Sequence, residues 1–114
     1  MTESLHTHLV SVLNDADIHP ALSEDEIDSY PYVTFELPVE YRYDKDGPYK
    51  IVGNLTIRSV SDDFDQADAL RAGIEGAIGE GFTAPYSARL TYVRKDCMDG
   101  VWVIELDYIL NQYE

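Results

Sequence analysis

Several residue groups in this chain have the types that chemistry uses, and their spacing decides what they can do. Gly73-x-x-Gly76-x-x-Gly79-x-Gly81 has the look of a phosphate cradle, in which small residues let backbone N–H groups close on the oxygens. No Lys-Ser or Lys-Thr follows, and Glu75 and Glu80 would repel the ligand, so these glycines read as small residues that let a helix approach a neighbour and then end. His6 and His8 sit two apart on a predicted helix, where side chains diverge by about 200°. They are not the i, i+4 pair that a metal needs on one face, and with His19 they read as surface residues. Asp44-x-Asp46-Gly47 opens like a calcium loop, but Leu55 stands where the twelfth-position glutamate belongs, so a turn is the better reading. Cys97 has Asp96 and Asp99 beside it, which disfavour a thiolate, and no His close in sequence. Glu24-Asp25-Glu26-Asp28 shows no acid/base pairing and reads as a solvated run. Asn54-Leu55-Thr56 fits a glycosylation acceptor only by chance, since it falls inside a strand. No catalytic, cofactor-binding or metal-binding residue is assigned, and the chain is expected not to be an enzyme.

The elements that position these residues start with Ser29 to Tyr43. Val33, Phe35, Leu37, Val39 and Tyr41 alternate with Thr34, Glu36, Pro38, Glu40 and Arg42, the period of a half-buried strand. Tyr30-Pro31 opens it, and Pro38 predicts an edge strand or a bulge. A slip of one residue would drive Glu36 and Glu40 into the core, so the register is firmly set. Before this strand, Thr2 to Asn14 reads as an amphipathic helix with Leu5, Leu9, Val12 and Leu13 on one stripe, capped by Thr2 or Ser4. After it, Asp44 to Pro48 turns the chain into a return strand, about Tyr49 to Val60, with Ile51, Leu55 and Ile57 inward and Gly53 marking a bulge or close approach.

Ser61-Asp62-Asp63-Phe64-Asp65 signals a helix start, and Phe64, Ala67, Leu70, Ile74, Ala77 and Ile78 form its buried stripe. A third strand, Ala88 to Lys95, is expected to point Leu90 and Tyr92 inward. The Asp99-Gly100 turn joins it to a fourth, Val101 to Asn111, with Trp102, Ile104, Leu106, Tyr108 and Leu110 inward. The predicted fold class is α+β: a two-layer domain over residues 1–114 in the order α-β-β-α-β-β. Its four-stranded, mainly antiparallel sheet of two hairpins carries both helices on one face.

The 114 residues include 22 acidic and eight basic ones, a formal charge of −14 that opposes binding to phosphate backbones. Direct nucleic-acid binding is not expected. No apolar run approaches the roughly 20 residues that span a bilayer, no secretion signal precedes the first helix, and Cys97 has no partner in the chain, which predicts synthesis in a reducing, intracellular setting. Residues 1–41 contain no Lys or Arg, whereas seven of the eight basic residues fall in the two hairpins. The nine tyrosines also concentrate there, which suits either ordinary strand preference or an interface.

Taken together, Tyr30-Pro31-Tyr32-Val33, Leu55-Thr56-Ile57-Arg58-Ser59, Asp65-Gln66-Ala67-Asp68-Ala69-Leu70 and Trp102-Val103-Ile104-Glu105-Leu106-Asp107-Tyr108 resemble the tail-completion, or tail-terminator, proteins of long-tailed bacteriophages and prophages. The resemblance spans roughly residues 5 to 110. It implies a minor tail protein, made in the host cytoplasm and carried in the virion tail, that forms a ring, often a hexamer, on the head-proximal end of the tail tube. Its partners would be itself, the tail tube protein and the neck or connector protein, with no cofactor and no membrane. The resemblance extends in part to head–tail connector and stopper proteins, and an unrelated interaction module of the same fold class stays open beside it.

A ring needs two complementary patches per subunit. The expected interface is the outward sheet face, with Arg42, Lys50, Arg58, Arg89 and Lys95 among Glu36, Glu40, Glu105 and Asp107. The turn containing Asp44, Lys45 and Asp46 would project as a tongue toward the tube or the next ring.

Overall fold

A computed structural model of the protein describes residues 4–21, 30–44 and 47–113. Helix α1 (Leu5–Asp15) is capped by Ser4, whose hydroxyl accepts from the Thr7 N–H at 3.1 Å. Its leucines at positions 5, 9 and 13 recur every fourth residue, and all three are buried. The chain then adds a strand that periodicity could not reveal: β1 (Pro20–Ala21) pairs in parallel with β2 (Tyr32–Glu36). The acidic run Glu24 to Asp28 lies outside the described residues.

Pro38 divides the expected first strand into β2 and β3 (Val39–Asp44), yet the register carries straight through it. Glu36 faces Thr56 and Val39 faces Gly53 on β4 (Gly47–Ser61), the spacing of one continuous pairing. Proline has no N–H to give, but its carbonyl still accepts from the Asn54 N–H at 3.1 Å, so the interruption costs a hydrogen bond without costing register. Gly53 is the close approach that was expected: a Cβ there would lie 2.7 Å from both Leu37 Cδ1 and Leu5 Cδ2.

Helix α2 (Phe64–Gly81) starts at the N-cap Asp63, which accepts from the Asp65 N–H at 2.9 Å, and buries Ala67, Ile74 and Ile78. It runs past Ile78 to Gly81, and Gly81 is small for a reason other than helix termination. A Cβ there would stand 2.6 Å from Val12 Cγ1 of α1, so glycine lets the two helices touch.

β5 (Tyr86–Met98) and β6 (Val101–Tyr113) complete the sheet through a turn at Asp99-Gly100, both with positive φ, as a type I′ hairpin requires. The order is β1-β2-β4-β6-β5, with β3 also on β4, so among the described residues the four expected strands become six and all pairs but β1–β2 are antiparallel. Both helices pack on one face of this α+β sheet. The core between the layers joins Leu5, Leu9 and Leu13 to Leu55, Ile57, Ile74, Ile78, Leu106 and Leu110, each at most 2 % exposed. Burying one such side chain contributes about 1.5–3 kcal/mol.

Two polar residues in this layer, Ser59 and Ser61, donate to Ala67 O at 3.0 Å and Gln66 Oε1 at 2.8 Å, which satisfies them and pins the start of α2 to β4. His8 is a correction to the surface reading. It is half-buried, its Nε2 lies 2.9 Å from Gly81 O, and its ring stacks on Tyr86 at 4.0 Å, tying α1 to the end of α2.

Candidate interaction surface

The helices cover one face of the sheet; the other, on which Val52 and Val60 are buried, carries no helix among the described residues. On that outer face, alternate residues of the three central strands carry a mixed-charge array. Arg58 lies at its middle, opposite Glu105 on β6 and Thr34 on β2. Its Nε and Nη2 reach Glu105 Oε1 at 3.0 and 2.9 Å, and its Nη1 is 3.8 Å from Glu36. Two residues along the strand, at the next pair on this face, Thr56 Oγ1 donates to Asp107 Oδ1 at 2.9 Å. These are cross-strand pairs within one subunit, worth a few tenths to about 1 kcal/mol each. Arg58, Glu105 and Asp107 are therefore already engaged at home.

Toward the edges the face is freer. Arg42 pairs loosely with Glu40 at 3.7 Å, and Lys50 lies over the Tyr113 ring at 5.7 Å. Arg89, opposite Ile109, is exposed and forms no ion pair among the described residues. Lys45 and Asp46 fall outside the described residues, so the expected tongue is seen only at its base, where Asp44 faces Gly47.

Lys95 is not on this face. Leu90 faces Tyr108, but Tyr92 faces Asp107, so Thr91 is an extra residue in β5. Its hydroxyl donates to Asp107 O at 3.0 Å. The bulge reverses the alternation beyond it. Tyr92, expected inward, turns to the outer face and is 55 % exposed, with Arg94 and Asp96 following it. Val93 and Lys95 turn to the helix side instead. There Lys95 Nζ lies 3.3 Å from Asp68 Oδ1 and 5.5 Å above the Phe64 ring.

Arg94 is the cation the sequence reading missed, held to Asp96 at 2.7 Å. The available signal was the spacing of apolar residues, which steps by two from Tyr86 through Ala88 to Leu90 and then by three to Val93. Arg58, Arg94, Asp96, Met98, Val103 and Glu105 line a shallow depression of about 250 Å³ at this end of the face.

On the helix side a second polar group ties α2 to the sheet. Arg71 donates to Asp68 at 2.8 Å and pairs with Glu75 one turn on. The Arg71 hydrogen bond, with Lys95 adding to it, holds the Asp68 carboxyl below its ordinary range against a smaller opposing effect of burial. Tyr108 lies buried nearby, and burial, with the Glu75 charge adding to it, pushes its phenol up to about 12. These groups fasten the helix layer to the sheet. Among the described residues, no helix is long and apolar enough to cross a membrane.

No protein-family model matches the sequence, and neither does any curated protein. Among solved structures, a chain from the virion of a native gene transfer agent particle is similar over 99 % of this chain and 87 % of its own, with a TM-score of 0.55 and 17 % identity. At that identity, what the two chains have in common is the α+β fold, taken nearly end to end.

Proposed function

We propose that this chain is a structural subunit of a phage-like particle and not an enzyme. It assembles as a ring at the head-proximal end of a tail tube, ends tube growth and joins the tail to the neck. The observation that carries this reading is the likeness, over 99 % of the chain, to a chain of a gene transfer agent virion. The surface supports it as well. The open sheet face offers exposed cations at its rim, Arg42 and Arg89 among them, which suits contact with carboxylates of another subunit. In the ring, the outer-face cations meet carboxylates of the next copy, and the other ends of the subunit meet the tube and the neck.

Light scattering and negative-stain microscopy on the purified protein, alone and mixed with tail tube protein, test this reading. The expected result is a closed ring seated on one end of each tube, with tubes that no longer lengthen. A protein that stays monomeric and leaves tube growth unchanged would exclude it. Arg89→Glu is the informative variant, since Arg89 has no ion-pair partner among the described residues of its own chain and its reversal should abolish the ring while leaving the fold intact. Arg58→Glu is a poorer probe because it would set a second carboxylate against Glu105.

A further inference from the structure

The sheet has two long edges, and their directions, charges and apolar residues match each other. On one side β5 has no strand beyond it among the described residues. On the other, β1 pairs with Val33 and Thr34, and β3 has no strand beyond it among the described residues. Three successive antiparallel pairings separate β3 from β5, so the two edges run in opposite directions. A second copy set alongside in the same orientation therefore brings its β3 antiparallel to the first copy's β5, which is the geometry the sheet already uses.

The side chains agree with this on both faces. Of the eight large apolar residues exposed among the described residues, six lie on these two strands: Val39 and Tyr41 on β3, and Leu90, Tyr92, Val93 and Met98 on β5. Val39, Tyr41, Leu90 and Val93 all belong to the helix side. On the outer side, the β5 rim carries Arg89 and Arg94 with Asp96 beside Arg94, and the β2–β3 rim carries Glu36 and Glu40 with Arg42 loosely paired to Glu40, so cations predominate on the first rim and carboxylates on the second. Edge strands are commonly blunted by an outward lysine, but Lys95 is drawn back onto Asp68.

We infer that copies of this chain join edge to edge, β5 of one pairing antiparallel with β3 of the next, with Val93 opposite Tyr41 and Arg94 opposite Glu40. The contact is head-to-tail, so it continues from copy to copy and closes by rotation. This inference rests on the ring reading above and specifies its seam.

Cysteine cross-linking in a Cys97→Ser background tests it, because directly opposed strand residues have Cα atoms about 4.5–5.5 Å apart, within disulfide reach. Both replaced side chains are exposed, so the fold should survive, which circular dichroism checks. The expected result is that Val93→Cys chains cross-link to Tyr41→Cys chains, that neither cross-links to itself, and that a chain carrying both gives a ladder ending at the ring number. Arg94→Glu and Glu40→Arg should each lose the higher-order species, and the two combined in one chain should restore them.

Self-cross-linking of Val93→Cys would overturn the inference in favour of a two-fold β5–β5 contact. Rings that form on tubes without the mixed cross-link would sink the seam and leave the ring reading standing. Cross-linked oligomers that ignore the tube would do the opposite, and a chain that never associates would remove both.

Discussion

β5 and β6 are the two arms of one hairpin, thirteen residues each, and they differ almost completely in how they are buried. β6 lies between β4 and β5 and hides every second residue from Ile104 to Gln112. β5 lies at the edge and is buried only at Tyr86, with every position from Arg89 onward exposed. The difference comes from location and not from composition, because both strands carry aromatic and β-branched residues. A central strand has one face pressed on the core along its length, so its alternation is a direct record of packing. An edge strand has partial cover, so a bulge there exchanges faces at little cost and is hard to see in the sequence.

Truncation should separate the arms most strongly. Leu106→Ala on β6 removes a side chain 1 % exposed and should cost about 2–5 kcal/mol in urea denaturation. Val93→Ala on β5, 39 % exposed, should stay within about 0.5–1 kcal/mol in the isolated subunit. Comparable losses at the two sites would mean that β5 is covered in the free protein.

The buried phenol of β6 gives a second separation. Tyr108 has its ionisation raised from 10.0 to about 12 by folding, so the neutral ring supplies stability that is complete below pH 10 and is lost as pH climbs toward 12. Thermal unfolding followed from pH 9 to 12 should show this loss in the parent protein and a flatter profile in Tyr108→Phe. An identical alkaline slope in both would place the ring in solvent.

The smallest effect belongs to the bulge. Thr91→Val removes the hydroxyl that donates to Asp107 O and should cost about 0.5–1.5 kcal/mol. A larger loss, with Lys95 released from Asp68, would show that this hydrogen bond holds the reversed alternation in place.

How much was legible follows the same division. Leu5, Leu9 and Leu13, Leu55 and Ile57, and Ile104 to Leu110 were identified from period alone because each lies under full cover. The Asp99-Gly100 turn and the Asp63 cap were legible from local chemistry, since φ > 0 and free N–H groups select few residue types. Lys95 was placed on the wrong face because one unpaired threonine shifted everything after it. His8 read as a surface residue because its partners, Gly81 and Tyr86, are more than seventy residues away in the chain. Of the residues expected at the interface, Arg58, Glu105 and Asp107 do lie on the outer face, but the pairing of Arg58 with Glu105 and of Asp107 with Thr56 was not visible in the sequence.

The sequence by itself determined the helices, the hairpins, the inward residues of β4 and β6 and the acid-rich balance of charge, because each depends on neighbours within a few positions. Tertiary structure alone decided which strands became edges, where β5 turned over and which cations stayed free, because these depend on what lies beside a strand in space. The difference is physical: periodicity records cover from the core, whereas an edge is defined by a neighbour that one chain does not supply.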